Sequence, residues 1–107
     1  MLILLDNSAP RGIIRCLTSH VVEECRSRGW DRLSNGTLLA AAGAAGFDVF
    51  VTADKNIRHQ QNLKGRKIAI VVLGEGRWPL IRPMLDNVAA AVNAAVPGGY
   101  AEVDIPV

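Results

Sequence analysis

The fold of this 107-residue chain follows from the stretch FDVFVTADKN, residues 47–56. Its first half is an apolar run with β-branched and aromatic residues, which is typical of a buried strand. Its second half is typical of a helix start, with Asp54 as the N-cap. The stretch therefore predicts a strand that ends at a capped turn. The Asp54 carboxylate would then lie at the carboxyl end of the strand, where open α/β sheets bind ligands.

A second stretch, LILLDNS at residues 2–8, has the same design. Its apolar residues predict a short strand that ends at Asp6. Because the carboxyl ends of parallel strands meet at one edge of a sheet, we expect Asp6 and Asp54 to lie close together. Asp48 precedes its strand and is expected at the opposite edge.

The rest of the chain alternates between strand and helix patterns. Further strands are predicted at residues 21–25, 67–73 and 100–107, and helices at 9–18, 35–45, 55–62 and 80–95. For residues 20–25 the apolar spacing also fits a continuation of the first helix to residue 28. The alternation predicts one domain, 1–107, with right-handed crossovers and a three-layer α/β/α architecture around a mainly parallel sheet.

Composition excludes several classes of protein. The chain is 50% hydrophobic with a net charge of +2, which indicates a globular domain rather than a disordered one. No apolar run is long enough to span a bilayer, and no basic region precedes the apolar N-terminal residues. We expect a cytoplasmic protein without a signal peptide or membrane contact. The two cysteines, Cys16 and Cys25, are expected to be free core residues.

Charge is unevenly distributed along the chain. Residues 55–67 contain five basic residues and no acid. This segment is either a solvated helix and loop or a surface for a polyanion such as nucleic acid. Its position directly after Asp54 favours the second interpretation.

Two carboxylates at one sheet edge, beside a basic segment, indicate a divalent metal that acts on a phosphate. Mg²⁺ and Mn²⁺ prefer oxygen ligands and often take one or two carboxylates plus waters. Each acid also has a purely structural interpretation. Asp54 would only cap a helix, and Asp6 would only form an Asx turn or cap.

Several short motifs, in this order and spacing, resemble the PIN-like nuclease domains, most closely the short bacterial PIN-like proteins. The motifs cover roughly residues 2–73 and comprise LLD (4–6), NGTLL (35–39), GFDV (46–49), TADKN (52–56), QQNL (60–63) and IAIVVL (68–73). The resemblance implies hydrolysis of RNA by an activated water, with Mg²⁺ or Mn²⁺ as cofactor. For many members it also implies the toxin half of a toxin–antitoxin pair, so that RNA and an antitoxin protein are the expected partners.

The resemblance assigns Asp6 and Asp54 to the first and third acids of the metal site. The second acid belongs at the start of the helix near Asn35, where this sequence has Asn35-Gly36-Thr37 and no carboxylate. Asn35 is then the expected neutral ligand. Asn56 or Asn62 would replace a further acid, and another chain, or Glu23 or Glu24, would compensate in part for the missing charge.

Two functional hypotheses result. The first is a metal-dependent ribonuclease in which Asp6 and Asp54 are catalytic, Asn35 assists, and phosphates contact a basic set comprising Lys55, Arg58, Arg11 and Lys64. The second is a catalytically inactive RNA-binding or regulatory module. A third hypothesis, a receiver-like switch phosphorylated on Asp6 or Asp54, lacks the paired acids after the first strand. The long apolar helix at 80–95 fits a homodimer and burial in the monomer equally well.

Overall fold

A parallel β-sheet forms the centre of the protein. The computed structural model describes residues 1–59 and 66–107, with residues 58 and 59 described by their backbone alone. The strands are β1 (Leu2–Leu5), β2 (Val21–Glu24), β3 (Val49–Thr52), β4 (Ala69–Leu73) and β5 (Tyr100–Val103). They pair in parallel in the order β2-β1-β3-β4-β5. The strand interpretation of residues 21–25 is therefore confirmed, and β5 lies at one edge of the sheet.

Helices connect the strands. The α-helices are α1 (Asn35–Ala44), α2 (Trp78–Ile81) and α3 (Leu85–Asn93). Shorter 3₁₀ helices cover Arg11–Cys16, Cys25–Arg28, Lys55–His59 and Arg82–Met84. The helix predicted at 80–95 is interrupted at Pro83, because proline has no backbone N–H and clashes with the preceding turn. The helix predicted at 9–18 is a shorter 3₁₀ helix, which follows Pro10 and contains Gly12, both poor helix formers.

The two faces of the sheet bury separate cores. On one face, alternate strand residues such as Ile3, Val49 and Val71 pack against the 3₁₀ helix Arg11–Cys16, α2 and α3. On the other face, Leu4, Phe50 and Val72 belong to a cluster with α1. The prediction of a parallel sheet covered by helices on both faces is confirmed. No described helix is long and apolar enough to cross a membrane.

The crossovers do not share one hand. α1 connects β2 to β3 over one face, whereas α2 and α3 connect β4 to β5 over the other. Both connections step in the same direction along the sheet. Two such connections over opposite faces have opposite hands, so the expectation of right-handed crossovers throughout is wrong. A physical reason is coverage, since α2 and α3 bury a face that the short helix Arg11–Cys16 covers only in part.

Several single residues show how the helices end and how the side chains pack. Gly46 ends α1 with a φ of +86°, the left-handed conformation expected just after a helix. Trp30 is a packing residue, edge-to-face with Phe47 at 6.1 Å between ring centroids. Both cysteines are free. Gly43 does not contact the sheet, because it is exposed and a Cβ there would meet nothing within 4 Å.

Candidate functional site

The sheet edge with the carboxyl ends of β1 and β3 contains the topological switch point of the fold. From β1 the chain crosses to β2 on one side, and it later returns to β3 on the other side of β1. The short helix after β1 lies on one face and the short helix after β3 on the other, as the buried Ile13 and Ile57 show. The two loops diverge and leave a crevice between them, where open α/β sheets bind ligands. Asp6 and Asp54 follow the two strands on either side of this crevice.

Thr52 connects the two acidic residues. Its side chain is fully buried. The hydroxyl donates to Oδ2 of Asp6 at 2.8 Å and accepts the backbone N–H of Asp54 at 3.0 Å. Both acidic residues therefore have an atom within 3.0 Å of one oxygen.

Ser8 also forms hydrogen bonds to the Asp6 carboxylate and to the end of β3. Its hydroxyl donates to Oδ2 of Asp6 at 2.6 Å and accepts the backbone N–H of Ala53 at 2.9 Å. Ser8 and Thr52 each have one hydroxyl proton, and both protons are directed at Asp6. Hydrogen bonds to a carboxylate are stronger than those between neutral groups, so this oxygen is firmly held. Within the described residues, Oδ1 of Asp6 accepts no hydrogen bond.

Asp54 is held by two neighbours. Its Oδ1 accepts the backbone N–H of Asn56 at 3.0 Å, and its Oδ2 accepts Nδ2 of Asn35 at 3.3 Å. The first bond is the local capping role expected for Asp54. The second joins the start of α1 to the end of β3. Asn35 presents its amide nitrogen to Asp54, whereas a metal would require the amide oxygen.

The loop after β4 closes a third side of the site. Gly76 lies so near that a Cβ there would be 2.9 Å from the Ser8 carbonyl oxygen and 3.4 Å from the Ala53 Cβ. Glu75 accepts the backbone N–H groups of Gly76 and Arg77 at 3.1 and 3.2 Å. The Arg77 guanidinium forms two further bonds to Glu75, at 3.1 and 3.2 Å, which lower the pKa of that carboxyl group.

The glutamates that would compensate for the missing acid have other partners. Glu23 forms two bonds with Arg28, at 3.0 and 3.1 Å. Glu24 pairs in register with Leu5, whose side chain belongs to the core under α3, and its carboxylate meets Arg11 at 3.1 Å. Among the side chains of residues 1–57 and 66–107, no three acidic, histidine or cysteine groups are placed to hold a metal together.

The basic residues predicted to hold phosphates separate into two groups. Lys55 is exposed and directly follows Asp54. Arg11 lies at the start of the helix after β1 and forms its ion pair with Glu24. The side chains of Arg58 and Lys64 lie outside the described part of the chain, as does Asn62, so their predicted roles stay predictions.

Cys25 lies next to the site but cannot act as a nucleophile there. Burial, and secondarily the negative charges of Asp6 and Asp31, raise the pKa of its thiol to about 12. The thiolate is the reactive form of cysteine and the form that binds metals. At neutral pH this group is therefore a neutral core side chain.

Sequence reasoning missed Ser8, Thr52, Glu75 and Arg77. Ser8 follows Asp6 by two residues and Thr52 precedes Asp54 by two, a spacing that ordinary turns also show. Comparisons with protein-family models, with curated proteins and with solved structures find no match to this chain.

Proposed function

We propose that the protein is a ribonuclease of the PIN-like kind that hydrolyses RNA with Mg²⁺ or Mn²⁺. The observation that carries this proposal is the pair of acids, Asp6 and Asp54, joined through Thr52 at the switch point of the sheet. Lys55 supplies an exposed positive charge beside them. Two carboxylates can bind a metal ion, and a neighbouring lysine can bind a phosphate. This arrangement can therefore hold a metal and a phosphate side by side.

The donor groups fit a hard divalent cation. Asp6 and Asp54 would hold it, with waters completing the shell, because Mg²⁺ commonly takes only one or two carboxylates from a protein. The Asn35 side chain supplies a neutral oxygen once its amide is reoriented. When bound, such a metal supplies an activated water and stabilises charge on a phosphoryl oxygen.

Other side chains of the protein orient the two acids and attract the substrate. Ser8 and Thr52 both fix the same oxygen of Asp6, Oδ2, and neither hydroxyl binds the other oxygen. Asn35 and Asn56 fix Asp54. In the proposal Lys55 binds a phosphate of the RNA, which draws the substrate backbone towards the acids.

The resemblance extends this proposal to the cell. A ribonuclease of this kind would act in the cytoplasm as the toxin of a toxin–antitoxin pair, with an antitoxin protein as its partner. A homodimer is compatible with the exposed Val96 and Tyr100 near the edge strand β5.

The second candidate function is an RNA-binding or regulatory module without catalysis. The bond from Nδ2 of Asn35 to Asp54 favours it, because a neutral donor occupies the place where the resemblance puts an acid. A site with two carboxylates holds a cation less tightly than one with three. Binding of RNA through Lys55 does not depend on that cation.

Cleavage of mixed-sequence RNA distinguishes the two functions. The proteins to compare are wild type, Asp6→Asn and Asp54→Asn, each with Mn²⁺, with Mg²⁺ and with EDTA. The matched control is Asp48→Asn, because Asp48 also accepts a backbone N–H but lies at the opposite end of β3. We expect metal-dependent cleavage that falls at least about 100-fold in both site variants and is unchanged in the control.

Two outcomes contradict the ribonuclease. One is wild-type protein that binds RNA without cutting it in either metal, which supports the module. The other is cleavage by Asp6→Asn and Asp54→Asn at the wild-type rate, which identifies a contaminating nuclease.

A further inference from the structure

Three arginines lie around the Trp78 ring, on the face of the sheet that α2 covers. Arg77 directly precedes Trp78, and Arg82 follows it by one helical turn, on the same side of the helix. Arg15 comes from the 3₁₀ helix Arg11–Cys16 and places its guanidinium carbon 5.9 Å from the centroid of the Trp78 ring. All three arginines are exposed. Arg15, Arg77 and Arg82 together form the arginine surface.

Contacts with neighbouring groups hold two of these guanidinium groups in place. Trp78 packs directly on the neighbouring 3₁₀ helix, since a Cβ on Gly12 would lie 2.4–2.6 Å from three of its ring atoms. Arg15 is three residues after Gly12, so it lies on the same side of that helix, over the ring. Arg77 donates Nε and Nη2 to Glu75. A guanidinium has five N–H donors, and within the described residues the remaining donors of Arg77 form no hydrogen bond.

The arginine surface adjoins the acidic site through the loop after β4. Gly76 directly precedes Arg77, and a Cβ on Gly76 would lie 2.9 Å from the carbonyl oxygen of Ser8. Lys55 lies on the other side of the crevice, at the start of a short helix whose Ile57 packs in the cluster with α1. Exposed cations therefore flank the two acids from both faces of the sheet.

Two acidic residues lie among the arginines and leave the positive charges in excess. Glu75 is the partner of Arg77, and Asp86 lies in the first turn of α3, where it complements the positive end of the helix. Within the described residues, neither Arg15 nor Arg82 forms an ion pair. On the opposite face, α1 has no charged residue. The α2 side of the crevice is thus the side that offers guanidinium groups to a ligand.

Guanidinium groups bind phosphate oxygens in pairs, and a phosphate recurs at every nucleotide of an RNA strand. We infer that an RNA strand crosses the sheet edge at the two acids, with one phosphate at Lys55 and others at the arginine surface. This inference rests on the proposed function and names the side of the fold along which the RNA backbone runs. Arg15 and Arg77 are already held, so they lose little side-chain freedom when RNA binds.

The test is RNA binding in EDTA, where metal-dependent cleavage does not occur. Fluorescence anisotropy with a labelled single strand of about 12 nucleotides gives Kd between about 50 and 200 mM NaCl. The variants are Arg15→Gln, Arg77→Gln and Arg82→Gln. The matched control is Lys67→Gln, which removes the same charge from an exposed residue before β4, at the opposite edge of the sheet.

Each arginine variant should bind RNA at least about threefold more weakly than wild type at the lowest salt concentration. The slope of log Kd against log NaCl concentration should fall by about 0.7, the value for one phosphate contact on a single strand. The control should change neither quantity. Arg82 forms no hydrogen bond or ion pair with the described residues, so its variant removes charge without breaking a contact. Thermal unfolding checks the fold of all four variants.

Three results overturn the arginine surface. The first is wild-type protein that does not bind RNA in EDTA. The second is a salt slope that is unchanged in two or more of the arginine variants, or lowered equally in the control. The third is tighter binding of a polyglutamate peptide than of RNA, with the same loss in the arginine variants, which would assign the surface to an acidic protein segment.

The binding assay needs neither metal nor cleavage, so the two proposals fail separately. Salt-dependent binding through the arginines, in a protein that does not cut RNA, retains the arginine surface and removes the ribonuclease. Metal-dependent cleavage that is equally fast in wild type and in the three arginine variants, at RNA concentrations below KM, does the reverse.

Discussion

Thr52 donates its hydroxyl proton to Asp6 across the pairing of β3 with β1, at 2.8 Å. The hydroxyl oxygen of Thr52 also accepts the backbone N–H of Asp54. A buried threonine thus couples the positions of two acids that are 48 residues apart in the chain. The site is therefore built into the sheet as well as its loops, and its parts are expected to respond together to mutation.

Replacing Thr52 with valine should destabilise the protein by about 1–3 kcal/mol. Valine has nearly the same shape, but it leaves the Asp54 N–H without its acceptor and removes a bond from Asp6. Urea unfolding measures the effect, and Thr52→Ser, which keeps the hydroxyl, should recover part of it. The control is Thr18→Val at an exposed threonine. If the Thr52→Val protein were as stable as wild type, the Thr52 hydroxyl would not stabilise the fold.

Gly76→Ala should disturb the site more than the fold. The added Cβ would lie 2.9 Å from the Ser8 carbonyl oxygen, so the loop after β4 or the loop after β1 has to move. We expect shifted amide signals at Ser8 and Ala53 in NMR spectra and, for an active ribonuclease, a lower rate of cleavage. Unchanged signals at both residues would show that the loops do not pack as described.

Two other glycines provide a matched pair for stability. A Cβ on Gly12 would come within 2.4 Å of the Trp78 ring, whereas Gly43 is exposed in α1 with open space around it. Gly12→Ala should therefore destabilise the protein by about 1–3 kcal/mol through overpacking. Gly43→Ala should stabilise it by about 0.5–1 kcal/mol, because alanine favours a helix. Thermal melts of the two variants should move in opposite directions, and a shift in the same direction would contradict the packing at Gly12.

The cysteines should differ in reactivity. Burial raises the pKa of Cys25 to about 12, while Cys16 is half-buried and its pKa is raised to a lesser extent. Native protein treated with iodoacetamide at pH 8 should be modified at Cys16 first, and at Cys25 only after urea is added. Mass spectrometry of the peptides measures both rates. Equal rates in native protein would contradict the burial of Cys25.

The raised pKa of Cys25 makes the stability of the protein fall with pH in the alkaline range. The native pKa of Cys25 lies above the value of 9.0 for an unperturbed thiol, so the folded state binds this proton more tightly. The contribution to stability is complete below pH 9.0 and is lost as the pH rises towards 12. The alkaline decline in the free energy of unfolding should be smaller in Cys25→Ala. A decline of the same size in both proteins would contradict the assignment.

Much of the architecture could be predicted from local patterns. Apolar runs that end in Asp6 and Asp54 identify two strands and their shared edge, because period and turn chemistry are local properties. Gly46 ends α1 and Pro83 interrupts the helix predicted at 80–95, and each does so through its own backbone conformation. The hand of the last crossover could not be predicted in this way, because it depends on which face of the sheet needs covering.

The side chains that organise the site were harder to predict. In the sequence Ser8 and Thr52 resemble ordinary turn residues, but in the folded sheet both bind the Asp6 carboxylate. Glu24 points away from the site because its register partner is Leu5. The ion pair of Arg11 with Glu24 likewise depends on the pairing of β2 with β1. These are long-range contacts, and no periodicity in the sequence records them.

The most direct test of the central claim is Mn²⁺ binding, measured by electron paramagnetic resonance with wild type, Asp6→Asn, Asp54→Asn and the control Asp48→Asn. If Asp6 and Asp54 form one cation site, wild type and the control should bind one Mn²⁺ per chain with equal affinity. Each site variant should then bind at least about tenfold more weakly. Mn²⁺ binding that is the same in all four proteins, or absent from wild type, would contradict a shared metal site.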